Sequence, residues 1–353
     1  MQYTKCNADE AVYYKFDGTV WSIIASATDD FVFIADSKET NALAKKQVGE
    51  HFELVDLGAF NWFLGMSSSR NRETRKIYLD QHAYIDQIVT RMDLQDAWTA
   101  DTPMEPGIDL SLESPAVSPH PLNSDEKSLY HEAIGSLMYA SIMTRPDITF
   151  AVNTLSQFLE SPRTTHLNAV KRVFRYLKGT RDVKLELGGD KLYLSGYSDA
   201  DWASHTHRHS ISGFAFFIGS GAVSWSTKKQ PIVTLSSTES EYVALTHAGK
   251  EAIWLNKLLS ELRPILPNAD SGSDAMDLYC DNQGAIRLSK DSTFHARTKH
   301  IDVHFHWIRQ TVSQGQISLS YVPTDLMIAD TFTKSLSRAK FVRFTSMLGL
   351  TFD

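Results

Sequence analysis

Between residues 20 and 92, apolar positions alternate over short runs and then recur with a helical period, twice in succession. "VWSIIASATDDFVFIADS" (20–37) is apolar on both sides of Asp29 and Asp30, which predicts a hairpin carrying two carboxylates at its turn. "KETNALAKKQVGEHFEL" (38–54) predicts a helix, "FNWFLGMSSSRNRETRKIYL" (60–79) a second hairpin with a polar turn, and "QHAYIDQIVTRM" (81–92) a short amphipathic helix. Residues 102–126 hold five prolines and no period, and read as an extended linker. Helical patterns return in 127–143, 147–160 and 165–178. In the last of these, Val170, Val173, Phe174 and Leu177 form one apolar stripe, and Lys171, Arg175 and Lys178 form a basic stripe beside it. Such a basic stripe is either a solvated helix face or a surface for phosphates.

From residue 191 the texture changes. "KLYLSGYSDA", "SGFAFFI" and "AVSWSTK" predict three strands, with "GSGA" as the turn between the last two. A long helix (236–262) follows, then a buried strand "MDLYCD" (276–281), helices at "NQGAIRLSK" and "HIDVHFHWIRQTV", a strand at "QISLSYV" and a helix at "TDLMIADTFTKSL". Three hairpin-linked strands followed by alternating helices and strands predict an α/β fold with a mixed sheet flanked by helices.

Composition narrows the classes. Hydrophobic residues make up 42% and charged residues 22% of the 353 positions, enough for a packed core. No run of about 18 apolar residues exists, which predicts no membrane span, and the opening "MQYTKCNADE" is no signal peptide. The expected location is therefore cytoplasmic, nuclear or both. Cys6 and Cys280 are the only cysteines, too few for a disulfide framework or a thiolate metal site. The net charge of −7 comes from residues 1–190, with 19 basic against 27 acidic side chains, while 191–353 holds 16 against 15. A local basic face still binds phosphates under a negative total.

The acids of the second half are the candidate chemistry. Asp199 and Asp201 in "GYSDADWA" share one side of a strand, and periodicity does not choose between them. Glu239 fits a capping box with Ser236, a structural role. Glu241 falls on one stripe with Leu245, Ala248 and Ala252, the face that packs on the sheet, where a charge is rarely left unpaired. Asp281 ends an apolar strand, as ligand-binding acids of open α/β sheets do, although a plain N-cap is the alternative. Asp330 is expected within the last helix, and Asp325 beside Thr324 is explained by the helix dipole. A converging set of carboxylates raises its own pKa values unless cations neutralise it. All-oxygen donors favour a hard ion, Mg²⁺ or Mn²⁺, and two such ions suit in-line attack on a phosphodiester.

The motifs "SDADWA", "SSTESEYVAL", "YCDNQGAI", "RTKHID" and "ADTFTK" resemble, in sequence and order, the ribonuclease H domain of copia-type retrotransposon Pol polyproteins. Upstream, "FLGM", "TRPDITFAVNTLSQFL" and "KRVFRYLKGT" resemble the thumb and connecting region of the same polyproteins' reverse transcriptase. The resemblance implies a ribonuclease H-like mixed five-stranded sheet with flanking helices over 191–353. It also implies a partial reverse-transcriptase palm and thumb over 1–101 and a linker with helical connection over 102–190. It places the metal-binding, catalytic acids at Asp199, Glu241, Asp281 and Asp330, with two Mg²⁺ or Mn²⁺ ions as cofactor, and makes Asp201 a neighbour. The implied reaction is hydrolysis of the RNA strand of an RNA–DNA hybrid. The hybrid is the expected partner, alongside other parts of a polyprotein or a second copy of the chain.

Two departures from the family pattern matter. Its paired polymerase aspartates correspond to Asp29 and Asp30, but the preceding Tyr-Val is replaced by Ala27 and Thr28, and the palm strand with the third carboxylate has no counterpart here. The expectation is a truncated frame or processed fragment without polymerase activity on its own. A catalytically inert relic that folds and binds nucleic acid is the alternative reading. The stretch before the last acid, "SYVPTDLM", also lacks the mobile His that many ribonucleases H carry there. His295, His300, His304 and His306 lie earlier, and "HIDVHFHW" (300–307) reads as a partly buried helix with polar His edges.

Overall fold

The computed structural model describes residues 3–189, 193–202, 209–265, 275–290 and 303–352. An antiparallel sheet forms first, in the order β1 (Thr4–Lys5), β2 (Val12–Phe16), β3 (Trp21–Ala27), β4 (Asp30–Ala35). β3 and β4 are the predicted hairpin, with Ala27 paired to Asp30 across a turn in which Thr28 takes a positive φ. Helix α1 (Lys38–Gly49) follows, capped by the Ser37 side chain. The second hairpin is β5 (Trp62–Phe63), β6 (Met66–Asn71) and β7 (Lys76–Asp80), leading into α2 (His82–Arg91).

Helices α3 (Ser124–Met143), α4 (Thr149–Ser156) and α5 (Thr164–Gly179) close a helical layer with α2. α3 starts at a capping box between Asn123 and Glu126. The predicted stripe on α5 is its buried face: Val170, Val173, Phe174 and Leu177 join Ile85, Ile88, Tyr130, Leu137, Val152 and Leu155 in one core. Residues 102–126 are not a free linker. They lack regular structure until α3 begins, yet Met104 and Leu110 insert into this same core, so the prolines shape a segment laid over the helices.

Beyond β8 (Lys184–Gly188) lies the central sheet, built from β9 (Leu194–Asp201), β10 (Ile211–Ile218), β11 (Gly221–Lys229), β12 (Met276–Cys280) and β13 (Ile317–Tyr321). Its order is β11-β10-β9-β12-β13. The first three strands pair antiparallel, whereas β9, β12 and β13 run parallel, which makes the sheet mixed. The crossover helices are α6 (Ser237–Leu262) between β11 and β12, and α7 (Gln283–Lys290) with α8 (Trp307–Ser313) between β12 and β13. α6 lays Tyr242, Leu245, Ala248 and Ala252 onto Phe214, Phe216 and Leu278. The opposite face of β10 and β11 meets Ile328, Phe332 and Leu348. Covered on both sides, β10 reads as a continuous apolar run, as a strand buried on both faces must.

The stretch after β13 corrects the sequence reading. No α-helix spans "TDLMIADTFTKSL"; the chain makes two 3₁₀ turns, Thr324–Leu326 and Ile328–Phe332. Pro323 (ψ 145) and Met327 (ψ 90) are extended and break any continuous helical ladder, and Met327 is pinned by burial. The predicted helix at "HIDVHFHWIRQTV" is likewise shorter: a 3₁₀ turn at Val303–His306 and then α8. Among the described elements, β1, β2, β8, α9 (Arg338–Met347) and β14 (Leu350–Thr351) lie outside the predicted ones. β14 pairs with β8, and β8 with β7, in the sheet order β14-β8-β7-β6-β5. α9 contributes Phe341 and Phe344 to the helical-layer core. Core and sheet therefore both cross the boundary expected at 190/191. No described helix is long and apolar enough to cross a membrane.

Candidate metal centre

The parallel strands β9, β12 and β13 end on one edge of the central sheet, and acids gather there. Asp199 lies near the end of β9, opposite Gly213 of β10. Asp281 follows the last residue of β12. Asp330 sits in the second 3₁₀ turn after β13. Glu241 projects from the first turns of α6, on the stripe that Leu245, Ala248 and Ala252 bury against the sheet. Asp199 is 2%, Glu241 4% and Asp330 0% exposed, so three of the four carboxylates have left bulk water. Asp281 is half-buried and accepts a hydrogen bond from the Thr324 hydroxyl at 2.7 Å.

These acids feel one another. Burial raises the Asp199 carboxyl to about 7; Lys334 pulls the other way, and Asp330 and Asp281 add to the rise. Glu241 is held well above the ordinary carboxylate range, by burial first and then by Asp199 and Asp281. The geometry brings all four predicted acids into one electrostatic unit. Asp201, two positions from Asp199, is half-buried and only helps to hold the Lys334 ammonium charged. Glu239 has the capping role: its backbone N–H donates to the Ser236 hydroxyl at 3.2 Å, and its carboxylate accepts from the Leu235 N–H at 2.7 Å.

The donor set fits a hard divalent ion. Glu241, Asp281 and Cys280 offer ligand atoms all within 4.8 Å of one another. Burial, and then Glu241, push the Cys280 thiol up, and the other two members offer carboxylate oxygen, the donor a hard ion prefers. Buried carboxylates that raise each other's pKa are the arrangement that a cation relieves.

Side chains that the sequence reading passed over complete the surroundings. Lys334 lies 2.7 Å from Asp330 Oδ1 and 3.7 Å from Asp199 Oδ2, and Lys340 lies 2.5 Å from Asp330 Oδ2. The Thr333 hydroxyl donates to Asp199 Oδ2. The i,i+4 spacing of Asp330 and Lys334 was a signal available in "ADTFTK". Gly213 is the floor of this turn: a Cβ there would lie 2.7 Å from Phe332 Cβ and 2.7 Å from Thr333 Cγ2. Gly213→Ala is accordingly expected to cost about 1–3 kcal/mol by overpacking, measured by urea denaturation; a neutral result would mean the turn retreats freely.

The remaining candidates lie elsewhere. Asp29 and Asp30 are exposed at the β3–β4 turn, on a different sheet from the four acids. Lys171, Arg175 and Lys178 are half-buried on α5, and Lys178 donates to the Ala97 carbonyl at 2.8 Å. His306 shares a hydrogen bond with the Tyr242 hydroxyl at 2.9 Å, and burial lowers its pKa. His295, His300 and the side chain of His304 lie outside the described residues.

Residues 1–106 match the reverse transcriptase (RNA-dependent DNA polymerase) family. The chain is 39% identical over 350 residues to the retrovirus-related Pol polyprotein from transposon TNT 1-94 of Nicotiana tabacum, covering 99% of this chain and 26% of that protein. It is 30% identical over 238 residues to the putative transposon Ty5-1 protein of Saccharomyces cerevisiae, covering 67% of this chain and 74% of that one. The chain belongs to the copia-type retrotransposon Pol polyproteins. It spans about a quarter of the length of the tobacco polyprotein. Among solved structures, the N-terminal RNase H domain of a Mycobacterium tuberculosis protein covers 44% of this Pol chain at 11% identity, with a TM-score of 0.28, a likeness too slight to carry weight beside the strand order itself.

Proposed function

We propose that this chain is the reverse transcriptase/ribonuclease H portion of a Pol polyprotein and hydrolyses the RNA strand of RNA–DNA hybrids. The observation that carries this reading is the convergence of Asp199, Glu241, Asp281 and Asp330, from four separate elements, on one edge of a mixed sheet. Asp199, Glu241, Asp281 and Asp330 would hold the metal, the last of them from the 3₁₀ turn. Two hard divalent ions, Mg²⁺ or Mn²⁺, would supply the activated water and the stabilised leaving oxygen of an in-line phosphodiester hydrolysis. The protein's own contribution is to keep the carboxylates buried and aligned: α6 fixes Glu241, and Thr333 fixes Asp199. Recognition would rest on hybrid shape and 2′-hydroxyl groups, with little base reading. A cleavage assay on a labelled hybrid with Mg²⁺ tests the proposal, and sustained cleavage in excess EDTA would overturn it.

The basic stripe is proposed as a hybrid-backbone contact. Lys178 already ties α5 to the Ala97 turn, so the informative variant is Lys171→Ala with Arg175→Ala. It is expected to weaken hybrid binding evenly across sequences and to lower the salt slope of log K by up to about 0.9 per lost contact. Binding titrations at several salt concentrations read this directly; an unchanged slope would make the stripe a solvated face.

A further inference from the structure

Asp330 is a carboxylate with no exposure; Lys340 hydrogen-bonds its Oδ2, while Oδ1 has Lys334 beside it as an ion pair but accepts no hydrogen bond from the described residues. Lys334 also reaches Asp199 on another element. The lysine stems stay partly open, at 37% and 29% side-chain exposure, so each buried head has a path back to water. The backbone of Lys334 is anchored, its N–H donating to the Asp330 carbonyl at 3.2 Å. Two lysines face Asp199 and Asp330, and neither reaches Glu241 or Asp281 among the described ion pairs.

Resting on the metal-centre reading above, we propose that Lys334 is a built-in counter-cation that occupies the Asp199–Asp330 gap in the metal-free chain and is displaced when a divalent ion enters. Its ammonium lies 2.7 Å from Asp330 Oδ1 and 3.7 Å from Asp199 Oδ2, the place of a cation lodged among acids. A hard cation and an ammonium seek the same oxygens, so the two compete. Lys334 thus sets the threshold of metal loading and keeps the acids from repelling one another before loading. Lys340, on α9, stays behind as the partner of Asp330 Oδ2.

The test is calorimetric titration of the full chain with MnCl₂, paired with thermal melting in EDTA and in Mn²⁺. Lys334→Met is expected to bind Mn²⁺ tenfold or more tightly, about 1.4 kcal/mol. It should melt earlier than the parent in EDTA and gain more from added Mn²⁺. Lys334→Arg keeps the charge and is expected to behave as the parent. Lys334→Gln, which keeps a polar head on Asp330, is the second charge-removing variant should Lys334→Met fold poorly. Unchanged or weakened Mn²⁺ affinity in both Lys334→Met and Lys334→Gln would overturn the proposal while leaving the metal centre intact. If Glu241→Gln and Asp281→Asn bind Mn²⁺ as the parent does, the metal-centre reading itself fails. The two failures are thus told apart.

Discussion

Asp281→Asn or Glu241→Gln is expected to lower hybrid cleavage by about a hundredfold or more, whereas Glu239→Gln, two residues from Glu241, leaves cleavage near the parent rate. Loss of one ligand weakens stabilisation of the transition state by several kcal/mol, and each factor of ten corresponds to about 1.36 kcal/mol. Folding survives these changes. Glu241 is buried beside Asp199 and Asp281, and removing one negative charge from that group relieves repulsion in the metal-free state. Glu239 belongs to the start of α6, where its carboxylate receives the Leu235 N–H and its own N–H meets Ser236. Its loss costs at most about 1 kcal/mol of stability. Asp330→Asn is a poorer choice, because it strips Lys334 and Lys340 of their shared partner and mixes a folding defect with a catalytic one. Single-turnover cleavage rates, read beside melting curves, decide the matter. Equal loss at positions 239 and 241, or loss at neither, would sink the assignment of the α6 face.

Asp147→Ala is expected to destabilise the chain by about 3–5 kcal/mol, the cost of orphaning a buried charge. Arg145 and Asp147 are 1% and 0% exposed at their side chains. The guanidinium grips the carboxylate through Nε at 3.0 Å and Nη2 at 2.7 Å. Tyr176 of α5 donates to the same carboxylate at 2.6 Å, and Arg145 donates to the Thr180 carbonyl at 2.9 Å. Every partner lies on the α3–α4 corner or at the end of α5, so the network welds these elements together. Removing both charges, as Arg145→Met with Asp147→Leu, should recover most of the loss, since an apolar pair of similar volume is often no worse than an ion pair. Urea denaturation of the two single variants and the double variant measures the coupling. A single variant within about 1 kcal/mol of the parent would contradict the account.

Glu241 was legible in sequence because a charge on an apolar stripe at helical spacing has few innocent explanations. The β10–β11 hairpin was legible too, since "SGFAFFI" and "AVSWSTK" sit on either side of a glycine turn at Gly219. Asp330 was expected within a helix and lies in a 3₁₀ turn. "LMIADTF" has the composition of a helix, and only burial of Met327 in an extended conformation diverts it into 3₁₀ turns. The choice between Asp199 and Asp201 lay beyond periodicity, because both share one strand side. What separates them is tertiary: Thr333 and Lys334 reach Asp199 from a turn 134 residues away. Lys334 and Lys340 were missed for the same reason, since a lysine near a chain turn looks like surface until the acid beneath it is placed. β8 and β14 are short, and nothing local announces a partner so remote.

The pairing of β14 with β8 sets a condition on biosynthesis. Thr351 bonds back to the Lys184 carbonyl across 167 positions, and Gly349 receives the Glu186 N–H at 2.8 Å. A ribosome delivers β5 to β8 long before the residues that finish their sheet. Through that interval the nascent chain carries an open strand edge, with Leu185, 2% exposed in the finished fold, awaiting its cover. Closure over so long a loop is intrinsically slow. Newly made chains would therefore depend on chaperone shelter, or on slow emergence, more than the size of either half would indicate.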